Sequence, residues 1–196
     1  MSRLRTLSAL LLALLAAAPA SAAPKAPKAC PSFASMRDSL DRKLNGVPFQ
    51  TVRKFFGGRP GHKWEAFSIF AEGEYSTENT DFFSEVRYYQ LKYASLTAEE
   101  KRQLAADLVT KYVENSGDKA VNIDNVSREA TLKLYRSQTA GKGVPAKDLF
   151  DAPLKPVTSN LSDTYARFVL QVRARGMPQR DAKGTVTFDV SYKDCK

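Results

Sequence analysis

The chain has 196 residues, 43% of them hydrophobic and 26% charged, with a net charge of +9 at pH 7, two cysteines and one histidine. That composition is ordinary for a globular protein and excludes a disordered, collagen-like or disulfide-dense chain. Two cysteines and one histidine fall short of the four ligands of a structural zinc site, and they leave a single base for any serine or cysteine nucleophile.

The chain opens with Arg3 and Arg5, then an apolar run of residues 7–18, then Pro19 and the small residues Ala20, Ser21 and Ala22. A basic start, a short apolar core and a small-x-small site are the parts of a secretory signal, and the run is too short to span a bilayer. The sequence therefore predicts export to the periplasm or outside the cell, with a signal peptide over residues 1–22. An Ala/Pro/Lys tether over residues 23–29 and one domain over residues 30–196 follow. Losing Arg3 and Arg5 would lower the charge of +9 by two. An even cysteine count in an exported chain predicts a Cys30–Cys195 disulfide that joins the two ends of the domain.

Residues 31–45 have Phe33, Met36, Leu40 and Leu44 on one helical face, with Ser32 to cap the start and Gly46 to end it. Residues 47–56 read as a first strand, and the glycine-rich segment 57–63, which holds His62, as a turn. Residues 64–75 read as a strand with apolar side chains on both faces, and residues 82–94 as the most aromatic strand. Thr97 opens the clearest helix, over residues 97–116. Thr97 and Glu100 have the spacing of a capping box, and Leu104, Leu108 and Tyr112 lie in the apolar stripe.

Beyond it, residues 129–136 alternate as a strand, and residues 138–162 read as a long loop with three prolines. Residues 165–175 and 184–192 alternate apolar and polar side chains, the pattern of strands with one wet face. The expected fold is α+β: a mostly antiparallel sheet of five to six strands with two main helices, and termini joined by a disulfide.

Chemistry is sparse in this pattern. Glu72 and Glu74 would share one face of a strand, the only arrangement suggesting paired-carboxylate hydrolysis. The segment around His62 matches no phosphate-binding fingerprint. No cofactor and no metal are expected, and the reading leans away from an enzyme. The candidate binding residues are Arg167, Gln171 and Arg173 on one expected strand, Lys133 and Tyr135 on another, and Lys147 and Phe150 in the long loop. The leading expectation is an exported, non-enzymatic binding protein, of inhibitor or immunity type. Its partner would be a protein or an anionic envelope component, and nucleic acid is not expected. A carrier with an apolar pocket between sheet and helix is the second reading.

Overall fold

The computed structural model describes residues 28–51 and 63–196. Helices dominate it. They are α1 (Phe33–Asn45), α2 (Lys63–Gly73), α3 (Thr77–Lys92), α4 (Ala98–Leu108), α5 (Asn125–Thr139) and α6 (Asp151–Arg175). The sheet is one antiparallel hairpin, β1 (Met177–Arg180) and β2 (Val186–Asp189), in which Met177 faces Asp189 and Arg180 faces Val186. The expected α+β fold with five to six strands is therefore corrected to a helical bundle with a two-stranded hairpin.

α3 is the centre, in contact with α1, α2, α4 and α6. A helix covered on every side is apolar all round. Phe82, Phe83, Val86, Tyr88 and Tyr89 are buried on α3, and Trp64, Ala66, Phe67, Ile69, Phe70 and Ala71 are buried on α2. This is why residues 64–75 and 82–94 resemble strands buried on both faces: short apolar runs do not distinguish a buried strand from a buried helix.

The other two misread strands have different causes. α5 buries Arg128, Thr131 and Leu132, with Asp124 capping its start by accepting from the Ser127 amide at 2.8 Å. Two of those inward positions are polar, so the helical period is masked. The apparent alternation of Ala130, Leu132 and Leu134 is accidental, with Leu134 41% exposed. α6 buries Val157, Leu161, Thr164, Phe168 and Val172, a 3–4 spacing, while Leu170 is 64% exposed and breaks the expected strand face.

The long loop expected over 138–162 is half helix. Pro153 and Pro156 lie in the first turns of α6, where few intrahelical amide bonds are lost. Residues 184–192 keep only β2 as a strand before a 3-10 turn at Val190–Tyr192. Of the expected strand over residues 47–56, residues 47–48 are irregular and residues 49–51 helical, and residues 52–56 lie outside the described residues together with the turn at His62. The signal segment and most of the tether also fall outside them.

Two helix starts follow local chemistry. Ser32 accepts from the Ser35 amide at 3.1 Å. At α4 the Thr97 hydroxyl accepts from the Glu100 amide, and the Glu100 carboxylate accepts from the Thr97 amide at 2.8 Å. α4 then widens into a π-turn over Val109–Val113.

Cys30 and Cys195 are bonded, with their Cα atoms 5.0 Å apart. The Cys30 amide also donates to the Lys196 carbonyl at 3.1 Å, and Tyr165 of α6 donates to the Pro31 carbonyl at 3.0 Å. The two chain ends thus meet over α6. Gly176 makes the sharp exit from α6 at φ +100°, where a Cβ would lie 2.5 Å from the Asp189 carbonyl oxygen.

Opening the disulfide frees a loop of 165 residues and should cost up to about 5 kcal/mol. Denaturant unfolding with and without a dithiol reductant should show a lower midpoint in the reduced protein, with native helical content retained in the absence of denaturant.

Candidate protein-docking face

Three segments converge at one end of the bundle. The first is the turn between α2 and α3. Tyr75 has φ +54° and is 93% exposed, an aromatic ring held in water on left-handed backbone. Glu74 beside it accepts from Arg167 Nε of α6 at 2.7 Å, and Arg167 reaches back to the Asp163 carbonyl and the Thr164 hydroxyl at 3.4 Å. These bonds fix the second segment, residues 163–167 of α6, against the turn.

The third segment is the connection between the π-turn and α5, residues 114–124. Its Lys119 side chain pairs with Asp81 of α3, and its backbone returns to the π-turn, with the Lys119 amide donating to the Lys111 carbonyl at 3.1 Å and Val121 to Tyr112 at 3.0 Å. Gly117 is required by this close return, because a Cβ there would meet the Thr110 and Lys111 carbonyl oxygens at 2.5 Å. Asn115, Ser116, Asp118 and Asn122 are left at least partly exposed, and Val126, at the start of α5, is 80% exposed.

Between these segments lies the start of α3. Asn79 is only 7% exposed, its Nδ2 donates to Glu78 at 3.2 Å, and its Oδ1 has no hydrogen-bond partner. A buried unpaired acceptor is costly and marks this position as unusual within the core. Further along α3, Glu85 Oε1 accepts from Lys111 at 2.6 Å and from the Tyr112 hydroxyl at 2.7 Å. Glu74, Glu78, Asp118 and Asp163 give this end an acidic cast in a basic chain. The whole is a face built from turns on rigid helices, with a proud aromatic and paired charges above a buried, unpaired acceptor. Among the described residues no group of three or more His, Cys, Asp or Glu is placed to hold a metal ion.

Only some of the sequence-derived candidates reach this face. Arg167 is in it. Gln171, one turn along α6, borders a cleft of about 220 Å³ between α2 and the hairpin, lined also by Ile69, Phe70, Pro178 and Phe188. Arg173 lies nearer the C-terminal end of α6 and is exposed. Lys133 is exposed on α5, and Tyr135 is half-buried there. Lys147 is exposed before α6, while Phe150 is fully buried against Phe82 and Tyr89. No common sheet face gathers them.

The paired-carboxylate arrangement is corrected as well. Glu72 lies at the end of α2 and Glu74 in the turn that follows, so the two do not share a strand face. Glu72 binds Arg180 Nη2 at 2.5 Å, and Glu74 binds Arg167. Beneath the helix expected over 97–116 there is packed core, with Leu104, Leu108 and Tyr112 buried, so the carrier reading loses its pocket.

Sequence reasoning missed Tyr75 and Asn79. Their signal was local: a large aromatic between Glu74 and Ser76, just before a Thr-x-Asn helix start. That signal is hidden because the expected strand over residues 64–75 runs into the turn.

One known family matches the chain across this face. Residues 60–171 match the Regulator of G protein signaling domain, more than half of the chain. The chain belongs to that family. The match runs from just before α2 to near the end of α6, and so covers all three segments of the face. No curated protein matches the chain. A regulator of G protein signaling domain acts by binding a protein, so of the two partner classes suggested by the charge, the protein is supported and the envelope component is not.

The family also corrects the expectation of export. Its members are typically cytoplasmic or membrane-associated inside the cell, so the periplasmic or secreted placement and the exported binding protein, carrier or hydrolase are overturned, and the family lends the signal peptide no support. No described helix is long and apolar enough to cross a membrane.

Tyr112 gives the face a measurable titration. Burial first, and then the Glu85 carboxylate, push its phenol far up from the ordinary value of 10.0; burial also pushes Tyr89 far up and raises Tyr88. The folded-state pKa values lie above the unfolded ones. Stability from these phenols is therefore complete below pH of about 10 and is lost as the pH rises further. In an alkaline titration followed by ultraviolet absorbance, the tyrosinate of these residues should appear together with loss of helical circular dichroism, and Tyr112→Phe should remove part of that coupling.

Proposed function

We propose that this protein binds the α subunit of a heterotrimeric G protein through the face made by the α2–α3 turn, residues 114–124 and residues 163–167, and accelerates hydrolysis of the bound GTP. The observation that supports this most directly is Tyr75, an exposed aromatic anchor on a turn that lies within the matched family region.

The chemistry asks little of the regulator. A Gα subunit carries its own transition-state arginine in cis, and a glutamine that orients the attacking water. Its switch segments are ordered by contacts to the γ-phosphate and are mobile otherwise. A partner that grips those segments more tightly in the transition-state arrangement than in the ground state raises the rate without lending a reacting group. Each ten-fold acceleration requires about 1.4 kcal/mol of such differential binding. A rigid face is suited to such a grip. Glu74 and Arg167 lock the turn to α6, and the buried Asn79 lies at the start of α3 directly after that turn.

Single-turnover hydrolysis of GTP by a panel of purified Gα subunits tests the reading. The rate should rise with added protein and saturate, and binding should be tighter to Gα carrying GDP with aluminium fluoride than to Gα with GDP alone. If no Gα in the panel binds or responds, the reading is wrong.

Tyr75→Gly separates function from fold. Left-handed backbone costs a non-glycine residue about 1–2 kcal/mol, so the variant should melt at the same temperature or higher. Loss of the ring should raise the half-maximal concentration for stimulation by about ten-fold or more, as removal of an aromatic hot spot does.

A further inference from the structure

Arg128 is the odd residue of the core. It sits in the first turns of α5 and is 6% exposed. A buried guanidinium is expensive unless its hydrogens are answered. Here main-chain oxygens answer it. One Nη donates to the Val113 carbonyl and the other to the Val121 carbonyl at 3.0 Å, while Nε is left without a partner.

Those two carbonyls have a definite place in the chain. Val113 ends the π-turn after α4, where the helix opens and its last carbonyls have no partner in the next turn. Val121 lies where the chain has come back, its own amide bonded to the Tyr112 carbonyl at 3.0 Å. Between them run residues 114–120, which carry Gly117, Asp118 and Lys119. The guanidinium spans the neck of this segment from below, and the Lys119 pair with Asp81 holds it from the side.

We propose that Arg128 is a positioning residue for the docking face: its planar fork clamps the neck of residues 114–120 and so presents that segment to the partner, which Arg128 itself does not touch. This rests on the reading of the face given under Proposed function. A lysine cannot substitute. Its single ammonium is a point donor and cannot serve two separated carbonyls in a fixed plane.

The test uses Arg128→Lys and Arg128→Met in the full chain, with two readouts. The first is native-state amide exchange over residues 114–121 in the protein alone. The clamp predicts exchange at least about ten-fold faster there in both variants, with α2, α3 and α6 still protected. The second is the concentration dependence of stimulated GTP hydrolysis. The half-maximal concentration should rise about ten-fold or more, with the saturating rate retained because excess partner reorders the segment. Arg128→Lys should lie between wild type and Arg128→Met.

Unchanged exchange in the segment overturns the proposal. Faster exchange with an unchanged half-maximal concentration also overturns it, as does loss of a cooperative thermal transition in both variants, which would make Arg128 a folding residue. Should the wild-type protein act on no Gα at all, the functional reading falls by itself, and the exchange measurement, which needs no partner, still decides whether the clamp exists.

Discussion

The structure depends first on the seating of Trp64 of α2 against α3. Its ring stacks on Phe83 at 5.1 Å between centroids, and its Nε1–H donates to the buried Ser84 hydroxyl at 3.0 Å. Ser84 passes the bond on to the Thr80 carbonyl at 2.7 Å. Phe33 of α1 meets both rings edge-on, and Phe67 carries the contact across to Phe168 of α6. One aromatic cluster thereby fixes four helices, and its one polar hydrogen is satisfied inside the core, as a buried indole requires. The turn between α2 and α3 cannot move independently of this cluster, because it joins the two helices that the cluster locks.

That rigidity suits the proposed docking face. Binding by pre-formed surface avoids the entropy of ordering loops on association. The face is made of connections, yet each is tied to a helix: Glu74 to Arg167, Lys119 to Asp81, and the neck of residues 114–120 to Arg128. The strain at Tyr75 fits the same pattern. A left-handed aromatic persists only where its surroundings over-determine it, and such strain collects at functional positions.

The second half of the molecule holds the ends together. The hairpin packs on α2, Arg180 of β1 bonds Glu72, and the Cys30–Cys195 bond draws the start of the described chain to its finish. The disulfide reports that the fold brings two residues 165 positions apart to within 5.0 Å. Taken instead as evidence of an oxidising compartment, it joined a basic and apolar N-terminus in pointing outside the cell. Proximity in the fold and chemistry of the compartment are separate matters, and the family match bears on the second.

By itself the sequence determined what depends on a few neighbouring residues. The α1 helix with its Ser32 cap, the capping box that begins α4, and β2 are local, set by side-chain to backbone bonds and by short-range period. The cysteine pairing was legible because two cysteines permit one intramolecular choice. What the sequence could not decide was the state of segments whose environment is entirely tertiary. α2 and α3 bury side chains around most of their circumference because other helices surround them, and that surrounding does not exist until the bundle forms. α5 turns a buried arginine and threonine inward, which is sensible only once the carbonyls of Val113 and Val121 are there to receive the guanidinium. Arg167 was singled out by its charge, and the fold places it in the proposed face, bonded to Glu74. Tyr75 and Asn79 were not, because what marks them, a ring left in water and an acceptor left unpaired, are properties of the packed molecule and not of the chain.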